Sequence, residues 1–212
     1  MTIRRSLFAA VICALVAATS AGAEENRRMV VIGDKVFFNG DIAPDESDDG
    51  VEDDYPRILD LAAANPTVST VVLTGSFRAT GYAMDVARGI EGLGLSTEIQ
   101  GECTDACIYM FVAGRSRILG KGATLGLRRI TINATRLREY FEQDKAAYGW
   151  EDEFGQAAML YDLGQSVMRS ALQYLMNHGV SLEFALKIFA TPREDMWWPE
   201  QDELVAGGVI QK

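Results

Sequence analysis

An α/β fold with a parallel sheet and a helical C-terminal half is predicted by three observations. Short apolar runs at 68–73 and 96–99 read as buried strands, and the segment between them, 82–93, carries helical spacing through Met84, Val86, Ala87 and Ile90. Strands interleaved with helices of this length favour right-handed parallel crossovers. From Ala134 onward the pattern is almost wholly helical. The 212 residues are 48% hydrophobic and 24% charged, enough apolar material for a real core in one domain.

The elements follow in order. Residues 1–23 have the three parts of a secretory signal: Arg4 and Arg5, an apolar run over 6–18, and the small-residue site Ala21-Gly22-Ala23. The run is shorter than the roughly 20 residues that span a bilayer, so no stable membrane anchor is expected. Cys13 does not make a lipoprotein site, because Val11 and Ile12 precede it. The expectation is a cleaved signal, a single domain over 24–212, and a periplasmic or secreted location, by general secretion or the twin-arginine route. Residues 30–32 and 36–38 flank Gly33-Asp34-Lys35 as a hairpin. Residues 41–54 form an acidic loop, 58–64 a helix, 106–112 a buried helix and 123–127 a short strand. Residues 151–177 place Phe154, Ala158, Tyr161, Met168, Leu172 and Leu175 on one stripe, ending at His178-Gly179. Ser181 is placed to cap a last long helix that Thr191-Pro192 ends.

Charge and ligand counts exclude several functions. Twenty Lys and Arg against thirty Asp and Glu give a formal charge of −10, without the basic stripe that phosphate binding needs, so no nucleic acid partner is expected. One His and three Cys are too few for a zinc or Cys-rich metal fold. Asp45-x-Ser47-x-Asp49-Gly50 begins like a calcium loop, but Pro56 stands where the closing carboxylate belongs. Neither a metal nor a cofactor is expected.

The stretch 68–128 carries a resemblance. Val71-Val72-Leu73, a helix from about Gly81, and Gly94-Leu95-Ser96-Thr97 are followed by Cys103-Thr104-Asp105-Ala106-Cys107. Then come Phe111-x-Ala113-Gly114-x-x-Arg117 and Leu125-Gly126, with Met196-Trp197-x-Pro199, Glu203-Leu204 and Gly208-Val209 near the end. In order and spacing these pieces resemble the extracytoplasmic members of the Clp-protease and crotonase superfamily, over nearly all of the chain after residue 23. The resemblance implies a ClpP/crotonase-like spiral of βαβ units.

Active relatives of that kind cut peptide bonds with a serine activated by histidine, and backbone amides stabilise the oxyanion. The resemblance puts the serine at Asp105 and the histidine at Arg128. It puts the oxyanion turn, with its paired glycines, at Thr74-Gly75-Ser76-Phe77-Arg78, where Phe77 and Arg78 replace those glycines. Loss of nucleophile or base lowers such an enzyme by about 10⁶-fold, so no peptidase catalysis is expected. Asp105 is read as a helix N-cap or as the ion-pair partner of Arg128, with a catalytic carboxylate as the alternative. Ser76 is read as a turn serine, and His178 as a helix-end residue favoured by the dipole. Trp197 and Trp198 either pack the C-terminal helix or form a binding ledge. Cys103 and Cys107 are read as a disulfide clip, with free thiols or a redox couple as alternatives. The expected function is a catalytically degenerate module binding a peptide or protein. The alternatives are an enzyme using Asp105 and a subunit of a homo- or hetero-oligomer.

Overall fold

A computed structural model describes residues 27–42, 54–78, 80–130 and 134–211. The signal-like segment 1–23, the calcium-like pattern at 45–50 and the secretion-dependent readings lie outside these residues.

A tight turn at Gly33-Asp34 joins β1 (Met29–Ile32) to β2 (Lys35–Asn39) in an antiparallel hairpin. α1 (Asp54–Ala64) then crosses to β3 (Thr70–Phe77), which runs parallel to β2. α2 (Thr80–Gly92) crosses to β4 (Ser96–Asp105), parallel to β3. After the short helix α3 (Cys107–Val112) come β5 (Arg117–Leu119) and β6 (Thr124–Gly126). The sheet order is β1-β2-β3-β4-β5, with β6 also on β4. The second half holds α4 (Ala134–Tyr148), α5 (Glu153–Asn177), α6 (Leu182–Ala190) and α7 (Gln201–Ala206). The expected class, a parallel α/β sheet with a helical C-terminal half, is what the chain forms.

The core lies between the sheet and its helices. Val71, Leu73 and Ile99 from the central strands meet Ile58, Val86 and Ile90 from α1 and α2, all essentially inaccessible to water. Every residue of α3 is buried, which explains why six residues suffice: packing on all sides holds a helix too short to persist alone. Thr97 Oγ1 donates to Phe111 O at 2.7 Å and fastens α3 to β4 in the interior.

β4 is longer than its apolar run. After Ile99 it bends at 100–102, with Gly101 at φ 66°, and the pairing jumps from Leu73↔Ile99 to Gly75↔Cys103. The first half of β4 pairs with β5 and the second with β6. The bend therefore carries the ends of β3 and β4 past β2, where the candidate site forms.

Candidate functional site

The segment read as an oxyanion turn is a strand. β3 continues through Phe77, with Ser76 opposite Thr104 and Phe77 opposite Asp105, so Ser76 is a strand residue rather than a turn serine. The reason is the bend in β4, which supplies a partner for residues that the sequence alone leaves unpaired. Gly75 is needed there: its φ is 84°, and a Cβ would lie 2.8 Å from Asp41 Cγ. Arg78 follows the strand and is exposed.

Asp105 ends β4 at the elbow into α3 with φ 60°, a left-handed conformation that short polar side chains adopt more readily than others. It is not a helix cap. The N-cap residue is Ala106, without a side-chain cap bond, and Ala106 N donates instead to Phe77 O at 2.8 Å. Cys103 and Cys107 are disulfide-bonded across this elbow, with Cα atoms 5.9 Å apart and both residues buried. Asp105 therefore sits midway along a covalently closed loop, its backbone held on one side by β3 and on both ends by the bridge.

Arg128 reaches the elbow from the segment after β6. Its Nε donates to Asp105 Oδ1 at 2.6 Å and its Nη2 to Asp105 Oδ2 at 3.2 Å, a two-pronged carboxylate contact. Its Nη1 donates to Arg193 O at 3.0 Å. The hydrogen bond to Asp105, helped by the attraction of its charge and opposed by burial, raises the guanidinium above its ordinary value. Ser76 Oγ donates to Asp105 Oδ2 at 3.1 Å. Three donors thus converge on one carboxylate. Leu127, one residue before Arg128, pairs with Trp197 through both backbone groups at 2.8 and 2.9 Å, which ties the arginine to the C-terminal segment.

Asp41 is the residue that sequence reading left in an acidic loop. Its Oδ1 accepts from Ser76 N at 3.0 Å, just where β2 has ended at Asn39 opposite Thr74. A carboxylate thereby occupies a strand amide that the sheet no longer pairs. No local signal marks it, because the contact spans 35 residues.

The two tryptophans differ in how far they are packed. Trp197 packs on Phe184 with ring centres 4.6 Å apart, under the ammonium of Lys187 at 4.0 Å. Trp198 lies over β6: a Cβ on Gly126 would stand 2.8 Å from its ring, and 41% of the residue remains exposed. His178 caps the end of α5. Its Nδ1 donates to Tyr174 O at 2.7 Å and its Nε2 stands 3.6 Å from Glu91 Oε1, so it shares no contact with Asp105, Ser76 or Arg128. Among the described residues there is no group of three or more His, Cys, Asp and Glu side chains able to hold a metal, and no helix is long and apolar enough to cross a membrane.

Chemically, the arrangement gathers a guanidinium and a hydroxyl on one carboxylate. The Ser76 proton points at a carboxylate already engaged by a guanidinium, and no imidazole contacts either group. What faces outward is a partly exposed guanidinium edge and the face of Trp198.

No family model matches the chain, and no curated protein matches it. Solved structures do. One is described as an enoyl-CoA hydratase from Streptomyces coelicolor A3(2), with 12% identity and a TM-score of 0.43 over 88% of this chain and 66% of that one. Another is described as an enoyl-CoA hydratase/isomerase from Mycobacterium abscessus, with 13% identity and a TM-score of 0.44 over 87% of this chain and 67% of that one. The chain spans about two thirds of the length of these neighbours. At these identities and TM-scores the likeness carries no argument about chemistry or function.

Proposed function

We propose that the chain is an extracytoplasmic, catalytically degenerate ClpP/crotonase-like protein that binds a peptide or protein at the face formed by the ends of β3, β4 and β6. The observation that carries this reading is the engagement of Asp105 by both prongs of Arg128 and by the Ser76 hydroxyl. A carboxylate with three donated hydrogen bonds has few lone pairs left for a substrate proton. The Ser76 amide, committed to Asp41, is not free to stabilise an oxyanion. The remaining features suit recognition: a half-exposed indole, a partly exposed guanidinium edge and the exposed Arg78 just after β3. The signal-like residues 1–23 support export, and the Cys103–Cys107 bridge suits an oxidising compartment.

A second reading, an enzyme using Asp105, is favoured by the left-handed backbone of that residue, since strained conformations gather at functional sites. One experiment separates the two. The purified protein is exposed to serine-hydrolase probes and to a peptide library, with bound and unbound peptides identified by mass. Capture of intact peptides without labelling supports the binder; cleavage or labelling that disappears in Asp105→Ala establishes the enzyme.

A further inference from the structure

β2 ends at Asn39 opposite Thr74, while β3 runs on to Phe77. Phe77 turns its carbonyl to the β4 side, where it accepts from Ala106 N at 2.8 Å. Backbone groups alternate from side to side along a strand, so Ser76 turns its amide the other way, to the edge that β2 has left. An edge amide of this kind is open to water or to another strand. Here a carboxylate meets it, Asp41 Oδ1 accepting from Ser76 N at 3.0 Å. The contact is built by its surroundings. Asn39 Oδ1 accepts from Asp41 N at 2.9 Å and Gly40 N donates to Thr74 O at 2.8 Å, which fixes the turn after β2. A Cβ on Gly40 would lie 2.7 Å from Ser76 O, and one on Gly75 would lie 2.8 Å from Asp41 Cγ. Two glycines on facing segments therefore leave the room in which the carboxylate reaches the amide. The bond is nevertheless easy to exchange. Asp41 is exposed, and its side chain makes no other hydrogen bond or ion pair with a described residue. Rotation about its own side-chain bonds vacates the place with no shift of backbone. Arg78, two residues beyond Ser76, is exposed and pairs with no acid among the described residues.

We infer that Asp41 is an internal stand-in for a ligand carboxylate: it fills a subsite on the Ser76 amide, and a peptide carboxylate binds there by displacing it. The inference rests on the peptide-binding reading and adds to it the group recognised and the residue that restrains binding. A carboxylate fits better than a strand laid along this edge. Exchange of one carboxylate for another moves a single side chain, whereas an added strand would collide with Gly40 and with the Asp41 backbone, whose N would lie 2.8 Å from a Cβ on Gly75. The guanidinium of Arg78 supplies a positive charge near the place where the ligand's charge arrives. The exchange starts no reaction. The amide passes from one carboxylate to another, and the Ser76 hydroxyl remains on Asp105, which Arg128 holds.

Sodium acetate is the probe, followed at the Ser76 amide by proton–nitrogen nuclear magnetic resonance against sodium chloride at equal ionic strength. In Asp41→Ala the signal should shift saturably with acetate alone, half-saturating at about 10–100 mM, as one charge-assisted hydrogen bond allows. In wild type the tethered carboxylate competes, so half-saturation should lie at least about tenfold higher. Asp41→Asn, which keeps a neutral acceptor in the turn, should fall between the two and gives the same test should the alanine variant fail to fold. Peptides from a library then separate the sources of the carboxylate. Tighter binding to Asp41→Ala that is lost on C-terminal amidation assigns the chain terminus, and tightening that survives amidation in Asp- or Glu-containing peptides assigns a side chain. A Ser76 signal unmoved by acetate in both variants, moved equally by chloride, or as responsive in wild type as in the variants would overturn the inference. Acetate binding without capture of any peptide would uphold the subsite and overturn the peptide-binding reading from which its ligand is drawn.

Discussion

Removing the Arg128 side chain leaves Asp105 with only the Ser76 hydroxyl as a side-chain donor. The size of the effect follows from exposure. The arginine and aspartate side chains are 29% and 16% exposed, neither a solvated surface pair nor a sealed one. Exposed pairs contribute about 0–1 kcal/mol, and breaking a buried one costs about 3–5 kcal/mol. Arg128→Ala should therefore cost about 2 kcal/mol, a figure that includes its hydrogen bond to Arg193 O. For a chain of this length that is a fall in Tm of about 4–8 °C. Asp105→Ala should cost less, because the guanidinium left behind is on the longer and more exposed of the two side chains and can turn to water. Urea unfolding of both single variants and the double variant gives the coupling, expected at about 1 kcal/mol and largely retained in 0.5 M salt, since the pair is short and partly shielded. Strictly additive effects would refute the reasoning, and so would a coupling that vanishes in salt.

Three further outcomes follow from other parts of the molecule. Thiol titration of the unfolded, unreduced protein should find Cys103 and Cys107 unreactive, and replacing both by serine should lower stability by about 2 kcal/mol, the loop entropy of a short bridge. Two titratable thiols from these positions would contradict the clip. Acid should destabilise the fold: Glu98, against the opposing effect of burial, is held below the usual carboxylate range by hydrogen bonds from Lys35 and Gln100, and Glu203 by the Glu200 amide and Lys187. Lowered folded values mean that the unfolded chain takes up protons first, so this stability is present above the usual carboxylate range and is lost as pH falls through the folded values. Thermal melts of wild type and Glu98→Gln should converge below about pH 4; a constant gap down to pH 2 would remove this explanation. Finally, Gly114→Ala should be among the most damaging small changes, because its Cβ would lie 2.1 Å from Thr97 Oγ1, the donor that fastens α3 to β4. A cost of about 2–4 kcal/mol in urea is expected, and an unchanged midpoint would show that the packing there yields.

Which features were legible depended on whether their signal was local. The hairpin around Gly33 and the Ser181 cap, whose Oγ accepts from Phe184 N at 3.2 Å, need only neighbouring residues, and both formed as read. β5 has three residues, too few to show alternation, and nothing in its composition announces it. The continuation of β3 through Gly75 and Ser76 depends on a bend in β4 some 25 residues later in the chain, so these residues read as a turn until their partner is known. The Asp105–Arg128 pair was foreseeable only by placing the chain against a related pattern, because no local rule pairs residues 23 apart. Asp41 had no such help. The stripe on α5 was visible as a period, but a period does not say whether the protein's own core covers it; the structure shows that Leu172 and Leu175 are taken in and Phe154 and Tyr161 are not.

The central claim is that the face around Asp105 and Arg128 binds without performing chemistry. It is tested most directly by incubating the purified protein with peptides captured from a library, measuring affinity by isothermal titration calorimetry and then the mass of the recovered peptide. Intact peptide is expected after prolonged incubation, with affinity reduced in Trp198→Ala and Arg128→Ala. Peptide recovered in cleaved form, with cleavage lost in Asp105→Ala, would contradict it.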